Sequence, residues 1–209
     1  MVSQIVKIGH DLLKYDVFYD QYQKLVGGVQ YRKRIIQDLQ KLQKPSFLDL
    51  GCGTASICSI LDKEINYYGV DNSTTYLKRA KQNFPQFAFT EADLGSNQWN
   101  NEIKITSPLI ATGLGLLHHL NDEQARNFLI GCRSILDKDS ILFTVDPIIT
   151  DSSSKIAKWF AKNDRGQYVR GTNAMRFLFK DTGFEPTIKI KRNQFNIPLD
   201  TIEISAKLA

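Results

Sequence analysis

The stretch FLDLGCGTAS, residues 47–56, places a carboxylate two positions before a pair of glycines at the end of an apolar run. The apolar run predicts a buried strand, and Gly51 and Gly53 predict the tight turn that follows it. A strand that ends in glycine-x-glycine and opens a helix brings backbone N–H groups to a ligand, because glycine permits both the turn and a close approach. The stretch therefore predicts a ligand site at the carboxyl end of this strand.

Two classes of ligand fit such a turn. A dinucleotide would place its pyrophosphate on the helix N-terminus, whereas a ligand without phosphate would not use that position. The dinucleotide pattern has Gly or Ala where Ser56 stands, and an apolar residue where Asp49 stands. Because a carboxylate would repel a pyrophosphate, Asp49 favours a ligand with positive charge nearby, such as an amino group or a sulfonium.

From residue 46 onward, short apolar runs alternate with helical patterns. Strands are predicted at 46–50, 66–71, 86–91, 107–113 and 140–146. The clearest helix is 122–136 with Asn121 as its N-cap, and a second one is capped near Asn72 or Ser73 and stopped by Pro85. This alternation is typical of βαβ units and of a parallel sheet covered by helices.

Two regions interrupt the alternation, and one follows it. Residues 1–45 predict a cap of two amphipathic helices hinged at Gly27-Gly28, with Tyr19, Tyr22 and Tyr31 as candidate walls of the ligand site. Residues 147–172, the lid segment, are too long for an ordinary connection and predict a functional lid with a helix from about Ser153. Residues 173–209 predict a last helix and two strands joined near 192–196.

We expect one domain of 209 residues, with its ligand-binding core at 46–146.

The composition excludes several classes of protein. Hydrophobic residues make up 42% and charged residues 23%, as in globular proteins, which disfavours disordered and fibrous classes. No apolar stretch approaches the about 20 residues that span a bilayer, and the N-terminus lacks signal-peptide features, so we expect a cytoplasmic protein without membrane contact. The three cysteines form no CxxC pair, so the sequence indicates neither a metal site nor a disulfide framework.

Charge is distributed unevenly along the chain. Residues 47–154 carry 13 acidic and 8 basic side chains, whereas residues 155–192 carry 3 acidic and 10 basic ones. The pattern suggests that the ligand-binding core and the segments facing a partner require different electrostatic fields.

LDLGCGTA resembles the first motif of class I S-adenosylmethionine-dependent methyltransferases, and the later motifs of that family follow in order across residues 47–208. In the family an acidic residue that ends the second strand binds both ribose hydroxyls, which Asp71 in YYGVDNS matches. A further acidic residue meets the adenine amino group, which Asp93 in EADLG matches. Asp49, Asp71 and Asp93 are evenly spaced, 22 residues apart, which places them at the carboxyl edge of adjacent strands.

The resemblance implies a fold and a cofactor. The fold would be a Rossmann-like α/β three-layer sandwich whose seven-stranded, mostly parallel sheet has an antiparallel C-terminal strand, with additional N-terminal helices. IATGLGLLHHLND is similar to the family segment beneath the methionine moiety, and FKDTGFEP resembles the last helix and sixth strand. The cofactor would be S-adenosyl-L-methionine, with S-adenosyl-L-homocysteine as product, bound by Asp49, Gly51, Cys52, Gly53, Asp71, Asn72, Ala92, Asp93, Leu94 and Gly113.

A narrower similarity concerns small bacterial-type members that combine LHHL, DP after the fifth strand, and DRGxxVR. This chain has LHHL at 117–120, Asp146-Pro147, and DRGQYVR at 164–170. This similarity specifies no acceptor. The adenine- and cytosine-methylating branches are disfavoured, because LGLLHHL stands where a Pro-Pro-aromatic or Pro-Cys signature would be expected.

His118 and His119 are the candidate catalytic residues, because they follow the fourth strand and histidine is the usual general base. On an extended stretch their rings would point to opposite sides, so at most one would face the pocket. Alternatively, either ring hydrogen-bonds backbone near the helix start. The aspartates could likewise be ordinary turn and cap residues, although their register favours the cofactor.

The lid segment supplies the candidate acceptor-binding residues Trp159, Arg165, Tyr168 and Arg170. Trp159 lies at helical spacing from Ile156 and Phe160, which favours packing of the lid over an acceptor platform. Arg165 and Arg170 could bind an anionic acceptor through two-point guanidinium contacts, or be solvated, or pair with Asp164. Cys52 is interpreted as a packing residue rather than a nucleophile, because no adjacent base is evident.

The sequence favours methyl transfer to oxygen or nitrogen of a small-molecule acceptor, such as a metabolite, a saccharide or a natural-product precursor. An RNA-modifying methyltransferase is the first alternative, suggested by the basic flanks and the pI near 9.0 but disfavoured because the chain shows no appended RNA-binding module. A regulator that binds the cofactor without transfer, or a homologue with non-methyl chemistry, is the second alternative. The sequence specifies neither the acceptor nor the oligomeric state.

Overall fold

The structure is a computed structural model that describes residues 27–105, 109–162 and 166–209. The first of the two predicted N-terminal helices, with Tyr19 and Tyr22, lies outside the described residues. So does Arg165, one of the four candidate acceptor-binding residues. Among the helices in these ranges, none is long and apolar enough to cross a membrane.

One sheet of seven strands organises the described chain. The strands are β1 (Ser46–Leu50), β2 (Asn66–Asp71), β3 (Ala88–Glu91), β4 (Leu109–Leu114), β5 (Ile141–Pro147), β6 (Phe184–Lys191) and β7 (Thr201–Leu208). Their order is β3-β2-β1-β4-β5-β7-β6, and β7 runs antiparallel to β5 and β6, whereas the other neighbouring pairs are parallel. This arrangement confirms the predicted Rossmann-like sheet with its antiparallel C-terminal strand.

Helices cover both faces of the sheet. They are α1 (Gly28–Gln40), α2 (Thr74–Asn83), α3 (Asp122–Ile135), α4 (Lys155–Lys162) and α5 (Thr172–Asp181). The buried faces of α1 and α2 pack in one hydrophobic cluster, and those of α3 and α5 pack in the other. The two clusters lie on opposite faces of β1, because Phe47 belongs to the first and Leu48 and Leu50 belong to the second.

Local capping explains where the core helices begin. Asn121 and Gln124 form a capping box at the start of α3, in which each side chain accepts a hydrogen bond from the other residue's backbone N–H. The Ser73 side chain accepts a hydrogen bond from the N–H of Tyr76 and caps α2. Both helices therefore start where the sequence predicts.

The element after the glycine turn differs from the prediction. The sequence led us to expect a helix there, but the chain forms only a 3-10 helix from Ser56 to Ile60. It is preceded by Ala55 in the left-handed conformation, with a φ of 56°. So short a helix leaves no extended stack of peptide dipoles aimed at the turn.

The lid helix α4 buries two small residues, Ala157 and Ala161, which lie four residues apart on one face. Ile156 remains 60% exposed and Trp159 43% exposed, and the Trp159 ring packs edge-on against Phe160 at a centroid distance of 5.1 Å. The interpretation that Trp159 packs the lid rather than serving as an acceptor platform stays a prediction.

Candidate active site

A cavity of about 560 Å³ opens at the carboxyl edge of the parallel strands, a volume in the range of small-molecule sites. The strands β1, β2 and β4 end here side by side, with Asp49 paired to Gly69 on one side and to Thr112 on the other. The cavity is lined by Arg32, Gly51, Cys52, Gly53, Thr54, Ser56, Asp71, Asn72, Tyr76, Ala92, Asp93, Leu94, Leu114, Gly115, Leu116, His119, Leu120 and Gln124.

Most of the residues that the resemblance implied for the cofactor come together on this wall. They are Gly51, Cys52, Gly53, Asp71, Asn72, Ala92, Asp93 and Leu94. Two others lie elsewhere. Asp49 is buried beneath the cavity, and Gly113 faces Phe128 of α3, so that Gly115 lines the cavity in its place.

The backbone N–H groups of the glycine turn are used within the protein. Those of Gly51 and Cys52 donate to the carbonyl oxygen of Val70, at 2.8 and 3.0 Å. That of Gly53 donates to Asp71 Oδ2 at 2.8 Å. The expectation that this turn offers bare N–H groups to a ligand is therefore wrong at these three positions, because the neighbouring strand β2 takes all three. A pyrophosphate at the glycine turn would find neither these donors nor the α-helix N-terminus that follows such a turn in a dinucleotide site, because the turn leads into a 3-10 helix.

Asp71 and Asp93 give the cavity an acidic wall. Asp71 accepts from Gly53 through Oδ2 and from the N–H of Ser73 through Oδ1, at 2.9 Å. Asp93 Oδ1 accepts from the N–H of Gly95, also at 2.9 Å. Each carboxylate is thus fixed by backbone donors while it lines the cavity, and each oxygen keeps a further lone pair for a ligand.

Asp49 carries the most perturbed carboxyl near the site. It accepts hydrogen bonds from the hydroxyls of Tyr67 and Thr112, at 3.0 and 3.1 Å, on the sheet face covered by α1. Burial raises the pKa of the Asp49 carboxyl to about 6, although the two hydrogen bonds and the charge of Arg32 act in the opposite direction. At neutral pH the group is still largely ionised, so it places negative charge under the cavity floor.

The raised pKa of Asp49 predicts an unusual pH dependence of stability. The folded state holds the proton of Asp49 more tightly than the unfolded chain does. The free energy of unfolding therefore falls as pH rises from about 4 to about 6, and Asp49 causes no further change above about pH 6. Relative to Asp49→Asn, the wild-type free energy of unfolding should drop by about 2 kcal/mol between pH 4 and pH 7. Urea titrations of both proteins across this interval measure the difference, and two parallel pH profiles would contradict the assignment.

The two histidines stand closer together than the sequence predicts. The segment Leu117–His119 is a 3-10 helix rather than an extended stretch, so the rings do not point to opposite sides. Their centroids lie 4.1 Å apart. His119 is exposed and lines the cavity, whereas His118 is buried behind it.

His118 is oriented by Asp146 at the end of β5. Asp146 Oδ1 accepts from the backbone N–H of His118 at 3.1 Å and contacts its ring Nδ1 at 2.8 Å. Since an ionised carboxylate only accepts hydrogen bonds, Nδ1 carries a proton in this pair. The His118 ring thus contacts a side-chain carboxylate, and the alternative that either ring bonds backbone near a helix start stays a prediction.

The candidate acceptor ligands that lie in the described part of the lid segment do not line the cavity. Trp159, Tyr168 and Arg170 are absent from its described lining. The side chain of Arg170 is only 9% exposed and bonds Asp122 and backbone carbonyl oxygens of Leu117 and Leu120. The structure therefore does not support the interpretation of Arg170 as a ligand for an anionic acceptor.

Arg32, which lines the cavity, was not identified in the sequence. Arg32 lies on α1 one position after Tyr31, which the sequence suggested as a wall residue. Tyr31 instead turns to the sheet, where its hydroxyl donates to Glu203 at 2.8 Å. Among the described lining residues Arg32 is the only arginine or lysine. The signal that could have found it is the helical face of α1: Tyr31 and Ile35 are buried on that face, and Arg32 lies at its edge.

Comparison with known proteins gives the same class of fold. A family model described as "Methyltransferase domain" matches residues 47–139. A search of curated proteins found no match. The matched range runs from β1 to just before β5 and contains the glycine turn, Asp71, Asp93 and both histidines.

Solved structures resemble the whole described fold at low sequence identity. An S-adenosylmethionine-dependent methyltransferase from Clostridium acetobutylicum ATCC 824 is 13% identical with a TM-score of 0.66, and the match covers 93% of this chain and 99% of that one. Mitomycin 7-O-methyltransferase MmcR is 14% identical with a TM-score of 0.69, covering 97% and 60%. The complex of LepI with SAM is 14% identical with a TM-score of 0.62, covering 80% and 44%. The chain spans about half the length of several such neighbours.

A model of a methyltransferase domain thus matches residues 47–139, and the sheet has the fold of solved S-adenosylmethionine-dependent methyltransferases. The predicted similarity to class I methyltransferases is confirmed at this level, and the narrower similarity carried by LHHL, DP and DRGxxVR stays a prediction.

Proposed function

We propose that this chain transfers a methyl group from S-adenosylmethionine to an oxygen or nitrogen atom of a small acceptor, such as a metabolite, a saccharide or a natural-product precursor. One observation carries the proposal: the cavity at the strand ends has an acidic wall, and the glycine turn beside it has already used the N–H groups of Gly51, Cys52 and Gly53. Such a cavity suits a cationic nucleoside without phosphate and opposes a dinucleotide.

The proposal gives each part of this cofactor a side chain among the lining residues. Asp71 would accept hydrogen bonds from the two ribose hydroxyls, and Asp93 would accept from the adenine amino group. Arg32 would bind the methionine carboxylate, because it is the only arginine or lysine among the described lining residues. The buried charge of Asp49 would favour the sulfonium over the neutral thioether of the product.

When bound, the cofactor supplies an activated methyl group: the acceptor's lone pair forms the new bond to carbon while the carbon–sulfur bond breaks and sulfur keeps the electron pair. The protein must orient the acceptor in line and exclude water. If the acceptor is protonated, a base must take that proton. His119 is the better placed of the two histidines for this role, because it lines the cavity, while His118 packs behind it against Asp146.

The test is transfer of a labelled methyl group. The protein is incubated with S-adenosylmethionine carrying a trideuterated methyl group and an extract that is separated into small-molecule, RNA and protein fractions. We expect a product shifted by the label in the small-molecule fraction, and no label with an Asp71→Ala variant. Label in RNA alone would establish the RNA-modifying alternative, and absence of label from every fraction would contradict methyl transfer.

A further inference from the structure

The three short motifs of the narrower similarity meet at one place in the structure. LHHL forms the turn from Leu117 to Leu120, and Asp146 of the DP motif holds the backbone and ring of His118 from the sheet side. The end of DRGQYVR approaches the same turn from the opposite side. Its described residues, 166–170, contact the turn through backbone and side-chain atoms.

Arg170 makes several hydrogen bonds to this turn and beside it. Its Nη1 donates to the carbonyl oxygen of Leu117 at 2.7 Å, and its Nη2 donates to that of Leu120 at 2.7 Å. Nε and Nη2 both donate to Asp122 Oδ1, at 2.9 and 2.8 Å. A longer bond of 3.4 Å joins Nη1 to the carbonyl oxygen of Tyr168. Because a guanidinium has five N–H donors, these contacts occupy the whole group.

Two backbone contacts complete the attachment. The N–H of Tyr168 donates to the carbonyl oxygen of His118 at 2.9 Å. Gly166 lies so close to the His118 ring that an added Cβ would overlap with Cδ2 of that ring. A side chain at position 166 would therefore displace either the lid segment or the histidine. Carbonyl oxygens of Leu117, His118 and Leu120 are thus all bound by residues 168–170.

We propose that Arg170 is a positioning residue that fixes the turn Leu117–Leu120, and with it the cavity wall formed by His119 and Leu120, from the lid segment. A 3-10 turn has few internal hydrogen bonds, so its conformation depends on what binds its carbonyl groups. The fork of the guanidinium matches two carbonyl oxygens at once, which a single ammonium does not. Arg170 acts through the turn, since it is not among the described residues that line the cavity.

The positive charge of Arg170 and the forked shape of its guanidinium can be tested separately. If only its charge mattered, Arg170→Lys would retain the pairing with the exposed Asp122 and behave as the wild type. If the fork fixes the turn, Arg170→Lys should resemble Arg170→Ala, whereas Asp122→Asn should change little, since its side-chain oxygen still accepts a hydrogen bond. Arg126→Ala is the matched control, because Arg126 also bonds an aspartate, Asp181, but on the outer face of α3.

The experiment combines hydrogen exchange with binding of S-adenosylhomocysteine. In Arg170→Ala and Arg170→Lys, we expect amide exchange to accelerate at least tenfold in peptide 116–121 and in peptide 166–171 together. We also expect S-adenosylhomocysteine to bind about tenfold more weakly, because the charge-assisted hydrogen bonds to the turn are lost. In Arg126→Ala and Asp122→Asn, both quantities should stay within about twofold of the wild type.

Two outcomes would overturn the proposal: exchange that accelerates in 166–171 but not in 116–121, or full retention of wild-type exchange by Arg170→Lys. The binding measurement rests on the proposed function, but the exchange measurement does not. A wild type that fails to bind S-adenosylhomocysteine would therefore count against the proposed cofactor, while the exchange of the two peptides would still test Arg170.

Discussion

Replacing Asp71 by alanine is expected to weaken the binding of S-adenosylhomocysteine by a factor of about 100 or more. Two hydrogen bonds from the ribose hydroxyls to a carboxylate contribute about 1.5 kcal/mol or more each, and each 1.4 kcal/mol is a factor of ten. The substitution also removes the acceptor for the N–H groups of Gly53 and Ser73. Both effects act on the same wall of the cavity, so the loss in affinity should be the largest for any single residue of the site.

Glu91→Gln is the matched control for Asp71. Glu91 ends β3 at the same edge of the sheet, pairs in register with Asp71, and is exposed, but it is not among the described residues that line the cavity. Calorimetric titration should give wild-type affinity for the control and severe loss for Asp71→Ala, with both proteins folded by circular dichroism. Equal affinities in the two folded variants would remove Asp71 from the cofactor site.

Replacing Arg32 by methionine is expected to weaken S-adenosylhomocysteine binding about 30-fold, as a charge-assisted hydrogen bond to a carboxylate contributes about 2 kcal/mol. The sharper measurement uses a second ligand, 5′-methylthioadenosine, which has the nucleoside and the sulfur but no amino-acid moiety. Its affinity should be unchanged by Arg32→Met, because it offers no carboxylate to the guanidinium.

Arg34→Met controls for the loss of a positive charge from α1. Arg34 lies two residues along the same helix, is exposed, and donates to Gln194 Oε1 at 3.0 Å, away from the cavity. Both ligands should bind it as they bind the wild type. A similar loss of both ligands in Arg32→Met would mean that Arg32 supports the fold of the cavity and does not bind the carboxylate.

The fold could be predicted from the sequence because its signals are local and repeated. Short apolar runs mark the first five strands, and the caps at Ser73 and Asn121 mark helix starts independently of the rest of the chain. The even spacing of Asp71 and Asp93 placed them at one edge, because parallel strands end on the same side of the sheet.

The remaining details depend on contacts between distant segments. The N–H groups of Gly51 and Cys52 donate to the carbonyl oxygen of Val70, a residue of the next strand, and no local sequence pattern indicates that pairing. The histidine rings lie together because the turn is 3-10 rather than extended, and that turn is held by Arg170, 50 residues from Leu120. Exposure of Trp159 likewise follows from small residues on the opposite face of α4.

The central claim is electrostatic: an acidic cavity at the strand ends, with the glycine-turn donors already used, accepts an adenosyl sulfonium and rejects a pyrophosphate. Isothermal titration of the wild-type protein with S-adenosylmethionine, S-adenosylhomocysteine, NAD⁺ and FAD tests it directly. We expect saturable one-site binding of the two adenosyl ligands and no binding of either dinucleotide. Tight binding of a dinucleotide with no heat from either adenosyl ligand would contradict it.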